Sequence, residues 1–364
     1  MAQFHQLKIK NVRQETSECV SISFDIPIDL KSEFQYKQGQ YITIKETLNG
    51  EELRRSYSAC SSPVVDHDLR IAVKEIENGR MSGFLNNGVK VGQVLEVMKP
   101  MGNFYTEMPA STPKVYVGFA AGSGITPILS LLKTALKSDD NSKFTLFYGN
   151  KSTSDIIFKS ELEELSQEYD GRLRVIHLLS REETVDPLLS GRLSKEKCRE
   201  LLLKYSPTAS ADEYFICGPY DMIMGINDEL LERGVSKEQI HYELFSTPKS
   251  EEDEGDEMDP AQTLGDGKTA IENSKMRVIL DEEEVDIPIS SNENILDLIL
   301  DAGLDAPYAC TGGSCCTCRA KITEGRAVMD VNYALTDKEV SDGYVLTCQA
   351  HPTTPSIVVD FDEP

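Results

Sequence analysis

CTGGSCCTC, residues 310–318, places four cysteines within nine residues. Cys310, Cys315 and Cys318 stand in the spacing C-x4-C-x2-C, and Cys348 follows thirty residues after Cys318. Three thiolates from one tight loop and a fourth from a distant strand make the ligand set of a [2Fe–2S] cluster. Gly312 and Gly313 suit a backbone that comes close to inorganic sulfide and offers it N–H groups. Cys316 is then the spare thiol, packing as a hydrophobe away from the iron. The competing reading is structural zinc, which usually takes two C-x2-C pairs. Cys315 and Cys318 make one such pair; Cys310 and Cys348 make no second.

The rest of the composition narrows the class. The chain has 364 residues, enough for two or three domains with real cores. Sixty-one acids against 37 bases leave a net charge of −24, which argues against nucleic acid and against an anionic membrane surface as partners. Nine cysteines, an odd number, point to metal or redox chemistry rather than a disulfide framework. Cys19, Cys60 and Cys198 stand alone and read as small buried hydrophobes. The N-terminal MAQFHQLKIKNV lacks the apolar run of a signal peptide, so the expected location is cytoplasmic. VYVGFAAGSGITPILSLL, residues 115–132, approaches the length of a membrane span. Its central Gly122, Ser123, Gly124 and Pro127 read instead as a buried strand, a tight turn and a helix.

The chain divides at TPKSEEDEGDEMDPAQTLGDGKTA. Seven acids between Glu251 and Asp259, with few large apolar residues, make residues 247–270 a solvated linker. Before it, residues 1–108 carry the short alternating runs VSISFDI, QYITIKE, LRIAVKEI and QVLEVMK, the pattern of an antiparallel β-barrel or sandwich. Residues 109–246 alternate strands with helical stretches, which implies an α/β domain on a parallel sheet. After the linker, residues 271–364 form a small mixed α+β domain. Its 18 acids and 6 bases hold half of the chain's net negative charge.

Several short motifs occur in order in the front part: RRSYS at 54–58, IAVK at 71–74 with RMS at 80–82, AAGSGITP at 120–127, LLSR at 178–181, ICGP at 216–219 and HYELF at 241–245. Taken together they resemble the flavin and nicotinamide domains of the ferredoxin–NADP reductase family, and the tail resembles a plant-type [2Fe–2S] ferredoxin of β-grasp fold. The resemblance implies FAD on the barrel. Arg55 would pair with the flavin pyrophosphate, Ser56 and Tyr57 would contact the cofactor, and Ser58 would hydrogen-bond near the flavin N5. Val73 and Lys74 would lie along it, while Met81 and Ser82 would present backbone and hydroxyl groups to its phosphates. For Ser82 the plain alternative is a helix N-cap.

The same resemblance puts Gly122, Gly124, Thr126 and Pro127 at the nicotinamide dinucleotide. It puts Cys217, Gly218 and Pro219 beside the nicotinamide, and Glu243 and Phe245 near the flavin ring. Ser58 and Cys217 are the catalytic pair it implies; the plain alternative for Cys217 is a buried structural thiol. Ser180 and Arg181 would hold a 2′-phosphate, for which a guanidinium fork is well suited, favouring NADPH over NADH. Arg181 could equally be a solvated loop charge, with Glu182 and Glu183 beside it.

Flavin domain, nicotinamide domain and C-terminal ferredoxin is the layout of reductase components of multicomponent oxygenases. Electrons would run from NADPH through FAD and [2Fe–2S] to an oxygenase partner. The stretch YGNKSTSDIIFK, residues 148–159, and CCTC, residues 315–318, resemble the reductases that serve phenylacetyl-CoA epoxidases, so a di-iron epoxidase complex is the expected partner. Reductases of Rieske-type steroid hydroxylases share the layout and are the alternative. Two further rivals are a metal clip that only binds a partner and a plain NADPH oxidase that needs none.

Overall fold

The structure, a computed structural model, describes residues 3–108, 112–205, 211–245, 274–289 and 293–363. The acidic stretch 247–270 lies outside them. Residues His5–Phe245 form one compact unit, and the described residues from Ser274 onward belong to a second.

The first unit opens with six antiparallel strands: β1 (Phe4–Thr16), β2 (Cys19–Asp25), β3 (Tyr41–Leu48), β4 (Glu51–Ser58), β5 (Leu69–Lys74) and β6 (Val94–Met98), in the order β4-β3-β6-β1-β2-β5. A bridge between Ala59, just past β4, and Ile71 of β5 joins the two edge strands and closes the barrel. Alternation drives the closure: Ile22, Phe24, Ile42, Ile44, Ile71, Val73 and Val97 all turn inward and are buried. Helix α1 (Arg80–Asn87) adds Met81 and Leu85 to that core.

A five-stranded parallel sheet follows, from β7 (Val115–Ala121), β8 (Lys143–Asn150), β9 (Leu173–Leu179), β10 (Glu213–Cys217) and β11 (Ile240–Glu243), ordered β11-β10-β7-β8-β9. Helices α2 (Ile125–Ser138), α3 (Lys159–Glu168), α4 (Lys195–Tyr205) and α5 (Tyr220–Glu232) connect the strands. The strand order reverses between β7 and β10, and a sheet of this kind takes ligands at the carboxyl ends of the strands flanking that reversal. The apolar stretch at 115–132 is β7, a glycine turn and the start of α2. Among the described residues no helix is long and apolar enough to cross a membrane. Helix α2 is apolar nearly all round because the sheet covers one side and the barrel the other: Ser130 donates to the Ser61 carbonyl at 2.6 Å, and the Thr134 and Ser62 hydroxyls meet at 2.8 Å. Helix α3 starts only at Lys159, after the apolar Ile156–Phe158. Phe158 adopts φ 61° and, with Ile156 and Ile157, turns into the core instead.

The second unit is a mixed sheet ordered β13-β12-β18-β14-β16, built from β12 (Ser274–Leu280), β13 (Glu283–Ile289), β14 (Arg319–Glu324), β16 (Tyr344–Leu346) and β18 (Ser356–Asp360). Strands β12 and β18 run parallel; the other neighbours run antiparallel. Strands β15 (Ala327–Met329) and β17 (Ala350–Pro352) form a separate ribbon. Helix α6 (Ile295–Asp301) begins at Asn294, whose side chain accepts from the Asp297 N–H, and buries Ile295, Leu296, Leu298 and Ile299. Helix α7 (Asp337–Ser341) opens on a capping box of Thr336 and Glu339. The cysteine loop runs between α6 and β14, and Cys348 sits in the turn from β16 to β17.

Candidate functional site

The first site forms where the ends of β4, β7, β10 and β11 meet. Parallel register sets Cys217 of β10 beside Ala120 of β7 on one side and Glu243 of β11 on the other. Ser58, the last residue of β4, donates its hydroxyl to a Glu243 carboxyl oxygen at 2.9 Å. Burial pushes the Glu243 carboxyl up to about 8, with the Ser58 hydrogen bond pulling only partly back. Burial, and then the neighbouring Glu243, push the Cys217 thiol up as well. Ser58, Cys217 and Glu243, three positions drawn from distant segments, thus meet at one spot where Ser58 and Cys217 are buried and Glu243 half-buried, while Phe245 two residues on is exposed.

The turn between β7 and α2 is pressed against the same spot. A Cβ on Gly124 would lie 2.0 Å from the Cys217 carbonyl oxygen, so only glycine fits between the strand ends. A Cβ on Gly218 would lie 2.5 Å from the Met222 side chain. Gly122 takes φ 53°, and its carbonyl accepts from the Tyr148 hydroxyl at 3.0 Å. Helix α2 has no side-chain cap, and the Ile125 N–H at its start bonds the Gly122 and Ser123 carbonyls of the preceding turn. The Thr126 hydroxyl is used internally, donating to the Ser123 carbonyl at 3.0 Å, and Pro127 lies in the first turn. Pro219 precedes α5 at its N-cap. This close cradle at a strand-order reversal fits a dinucleotide.

On the barrel, Arg55 is exposed, forms no ion pair among the described residues, and donates to the Arg54 carbonyl at 2.7 Å. Its neighbour Arg54 is buried and paired with Glu52 at 2.8 Å. Tyr57 lies half-buried against the barrel core, and the Ser56 hydroxyl meets that of Thr43 at 3.1 Å. Val73 and Met81 turn their side chains into that core, leaving only main chain to face a ligand. Lys74 reaches outward, 3.6 Å from Glu18. Ser82 is not the N-cap of α1; that position is Gly79. The Ser82 hydroxyl donates to the Gly79 carbonyl at 3.2 Å and accepts from the Ile76 N–H at 3.3 Å. Helix α1 likewise lacks a side-chain cap. An unpaired arginine, an uncapped helix start and a half-buried aromatic edge fit a flavin dinucleotide.

The ends of β8 and β9 carry the charge. The Ser180 N–H donates to the Asn150 carbonyl at 2.9 Å and the Arg181 N–H to the Lys151 carbonyl at 2.7 Å. The backbones of Lys151 and Arg181 are thus neighbours, both side chains are exposed, and neither forms an ion pair among the described residues. Glu182 is engaged elsewhere. Its carboxylate accepts from the Thr153 N–H at 2.7 Å and hydroxyl at 2.8 Å, bonds that hold it below the usual carboxylate range.

In the second unit the thiols of Cys310, Cys315, Cys318 and Cys348 converge. Cys310 meets Cys315 and Cys348, and Cys318 meets Cys348. These contacts hold Cys310 and Cys318 below the usual thiol range and Cys315 and Cys348 above it. The contacts are pairwise along the set; among the described residues no group of three or more His, Cys, Asp or Glu closes in the manner of a single-ion site. Donors surround the sulfurs: the Gly312 N–H and Ser314 hydroxyl at Cys310, the Thr317 hydroxyl at Cys315, and the Cys348 N–H at Cys318. Thiolates supplied with N–H and O–H donors and wrapped by a glycine turn fit an iron–sulfur cluster. Cys316 is buried, and its carbonyl accepts from the Arg319 N–H at 3.1 Å.

One functional cluster is absent from the motifs. Lys133 of α2, nearly buried, meets Asp66 at 2.8 Å and Glu161 at 2.9 Å, and Arg70 grips both oxygens of Glu161 at 2.8 Å. This network clamps barrel to sheet. The trace of it in the sequence is Lys133, a charge in the middle of the mostly apolar ITPILSLLKTAL.

Comparison with known proteins identifies the domains that carry these residues. Family profiles described as "Oxidoreductase FAD-binding domain", "Oxidoreductase NAD-binding domain" and "2Fe-2S iron-sulfur cluster binding domain" match residues 6–105, 119–228 and 278–353. A component of the 1,2-phenylacetyl-CoA epoxidase of Escherichia coli is 38% identical, with 100% of this chain and 99% of that one covered. The ferredoxin reductase component of 3-ketosteroid-9-alpha-monooxygenase from Rhodococcus rhodochrous is 31% identical over 98% of this chain and 96% of its own. Among solved structures, phthalate dioxygenase reductase superposes with a TM-score of 0.59 at 22% identity, covering 98% of both chains, and shares the fold. The chain therefore belongs to the family of oxidoreductases that join FAD-binding, NAD-binding and [2Fe–2S] domains as reductase components of multicomponent oxygenases.

Proposed function

We propose that this reductase oxidises NADPH and delivers the electrons to a di-iron epoxidase acting on phenylacetyl-CoA. The full-length relation to the Escherichia coli epoxidase component, closer than that to the steroid monooxygenase component, supports the partner. In this reading residues 1–108 hold FAD, 109–246 hold the nicotinamide dinucleotide, 247–270 link, and 271–364 hold the cluster. Bound flavin accepts the electron pair of the nicotinamide and releases it singly, and the iron–sulfur cluster carries single electrons.

The chain's own residues supply positions and charge. Arg55 and the start of α1 neutralise the flavin pyrophosphate, and Tyr57 and Phe245 cover its ring. Gly124 lets the nicotinamide turn close on Cys217, which shapes the floor under the reacting carbon. Ser58 orients toward the flavin, and Glu243, neutral below about pH 8, holds a proton beside it without burying a charge. Cys310, Cys315, Cys318 and Cys348 hold the iron.

The observation that carries the choice of NADPH is that Lys151 and Arg181, at the ends of β8 and β9 beside Ser180, are exposed and without an ion pair among the described residues. Arg181→Glu tests it. A lost charge-assisted contact is worth about 1.5–3 kcal/mol, so kcat/KM for NADPH should fall roughly 10- to 100-fold while that for NADH stays within about twofold. An equal fall for both nucleotides contradicts the assignment. The partner is tested by coupling the reduced protein to purified phenylacetyl-CoA epoxidase oxygenase and to a Rieske steroid oxygenase. Faster product formation with the epoxidase supports the reading, and the reverse overturns it.

A further inference from the structure

The four thiols come from two chain segments, residues 310–318 and the turn at 348. A cluster survives only while both stay in register. Two stitches join them. At the Cys318 end, the Thr347 N–H and hydroxyl both donate to the Cys318 carbonyl, at 3.1 and 2.9 Å. At the Cys310 end, the join is made by one side chain. The Gln349 amide nitrogen donates to the Thr311 carbonyl at 2.9 Å and to the Cys348 carbonyl at 2.9 Å. One amide group thus bridges the residue next to Cys310 and Cys348 itself.

The surroundings need this bridge. Thr311 sits at φ 55°, a left-handed conformation that a threonine holds only when its neighbours enforce it. Gly313 sits at φ 74°, and a Cβ there would lie 3.0 Å from Val331 and 3.2 Å from the Gln349 side chain, so the glutamine stem also packs on the glycine turn. The Gln349 backbone is fixed in turn: its N–H donates to the Leu346 carbonyl at 2.9 Å and its carbonyl accepts from the Asp330 N–H at 2.9 Å. The amide is therefore held at both ends of its own residue and reaches across to a strained loop.

We propose that Gln349 is a positioning residue that locks the Cys310 loop to the Cys348 turn and so sets how long, and in what geometry, the cluster is retained. The role requires a donor of two hydrogen bonds. Leucine matches the volume but donates none. Lysine reaches the same carbonyls and keeps its donors. The inference rests on the reading that the four thiols hold the cluster, and the wild-type protein tests that first, by its iron and acid-labile sulfide content.

The test compares full-length wild type, Gln349→Leu and Gln349→Lys, each anaerobically reconstituted. Loss of the cluster's visible absorbance is followed under an iron chelator, and the EPR spectrum is recorded after reduction with dithionite. Two lost hydrogen bonds predict cluster loss about tenfold faster in Gln349→Leu. They also predict a shifted or broadened EPR signal. Gln349→Lys should lose its cluster within about threefold of the wild-type rate. NADPH-driven dye reduction by the flavin unit should be the same in all three. Wild-type kinetics and spectrum in Gln349→Leu overturn the proposal, as does equally rapid loss in Gln349→Leu and Gln349→Lys. Absence of iron from the wild-type protein instead overturns the cluster reading beneath it.

Discussion

Glu243 sits far from the ordinary environment of a carboxylate. Its carboxyl, ordinarily near 4.5, stays protonated to about pH 8 in the folded chain because burial penalises the charge. The folded state therefore binds a proton that the unfolded state releases above 4.5. The stabilisation linked to it is fully present below that value and is lost as pH rises toward 8. Wild-type flavin reduction by NADPH should fall on an alkaline limb near pH 8, and Glu243→Gln should remove that limb while lowering the plateau. Stopped-flow rates across pH check this; an unchanged limb in the variant assigns it to another group. At the other site, Cys315→Ser should abolish the cluster's visible and EPR signals with dye reduction intact, whereas Cys316→Ser should keep them. Loss of the signals in Cys316→Ser would exchange the ligand assignments. The convergence of the four cysteines was legible because the ligation of an iron–sulfur cluster imposes spacing on sequence. The inward turn of Val73 was not, because a motif match reports proximity to a ligand and leaves side-chain direction to the pleat of β5.

At the scale of elements, the strands and the nicotinamide turn follow directly from their patterns. VSISFDI alternates as β2, and AAGSGITP gives a strand end, a left-handed Gly122 and a helix start. Helix α3 is the instructive exception. The apolar Ile156–Phe158 looks like its first turn, yet Phe158 at φ 61° breaks the helix so that all three side chains enter the core. Local propensity lost to burial there. The ionic clamp on α2 was also hidden, because Asp66, Arg70, Lys133 and Glu161 are neighbours only after the barrel and sheet have folded. Burial alone would push Glu161 up, but Arg70 and Lys133 outweigh it and hold the carboxyl below the usual range. Glu161→Gln leaves Lys133 buried beside a weakened counter-charge and should lower unfolding stability by about 3 kcal/mol. Urea denaturation of the flavin unit's transition measures it. A change under about 0.5 kcal/mol contradicts a structural role for the clamp.

For the whole molecule, the charge distribution and the domain order make one account. The segment beyond residue 270 carries 18 acids against 6 bases, so any partner that accepts electrons from it meets a strongly negative surface. The domain order was legible from motif order alone, since a barrel, a parallel sheet and a cysteine loop each have their own period. The identity of the oxygenase is written in the partner's substrate pocket, which leaves little mark on a reductase. The central claim is that electrons entering at the Gly124–Cys217 cradle reach iron held by the four cysteines. Low-temperature EPR of the anaerobic protein after addition of NADPH tests it most directly. The account predicts that the signal of a reduced [2Fe–2S] centre appears with NADPH as sole reductant. A protein that contains iron and acid-labile sulfide, whose flavin bleaches on NADPH addition, and whose cluster stays EPR-silent until dithionite is supplied would contradict it.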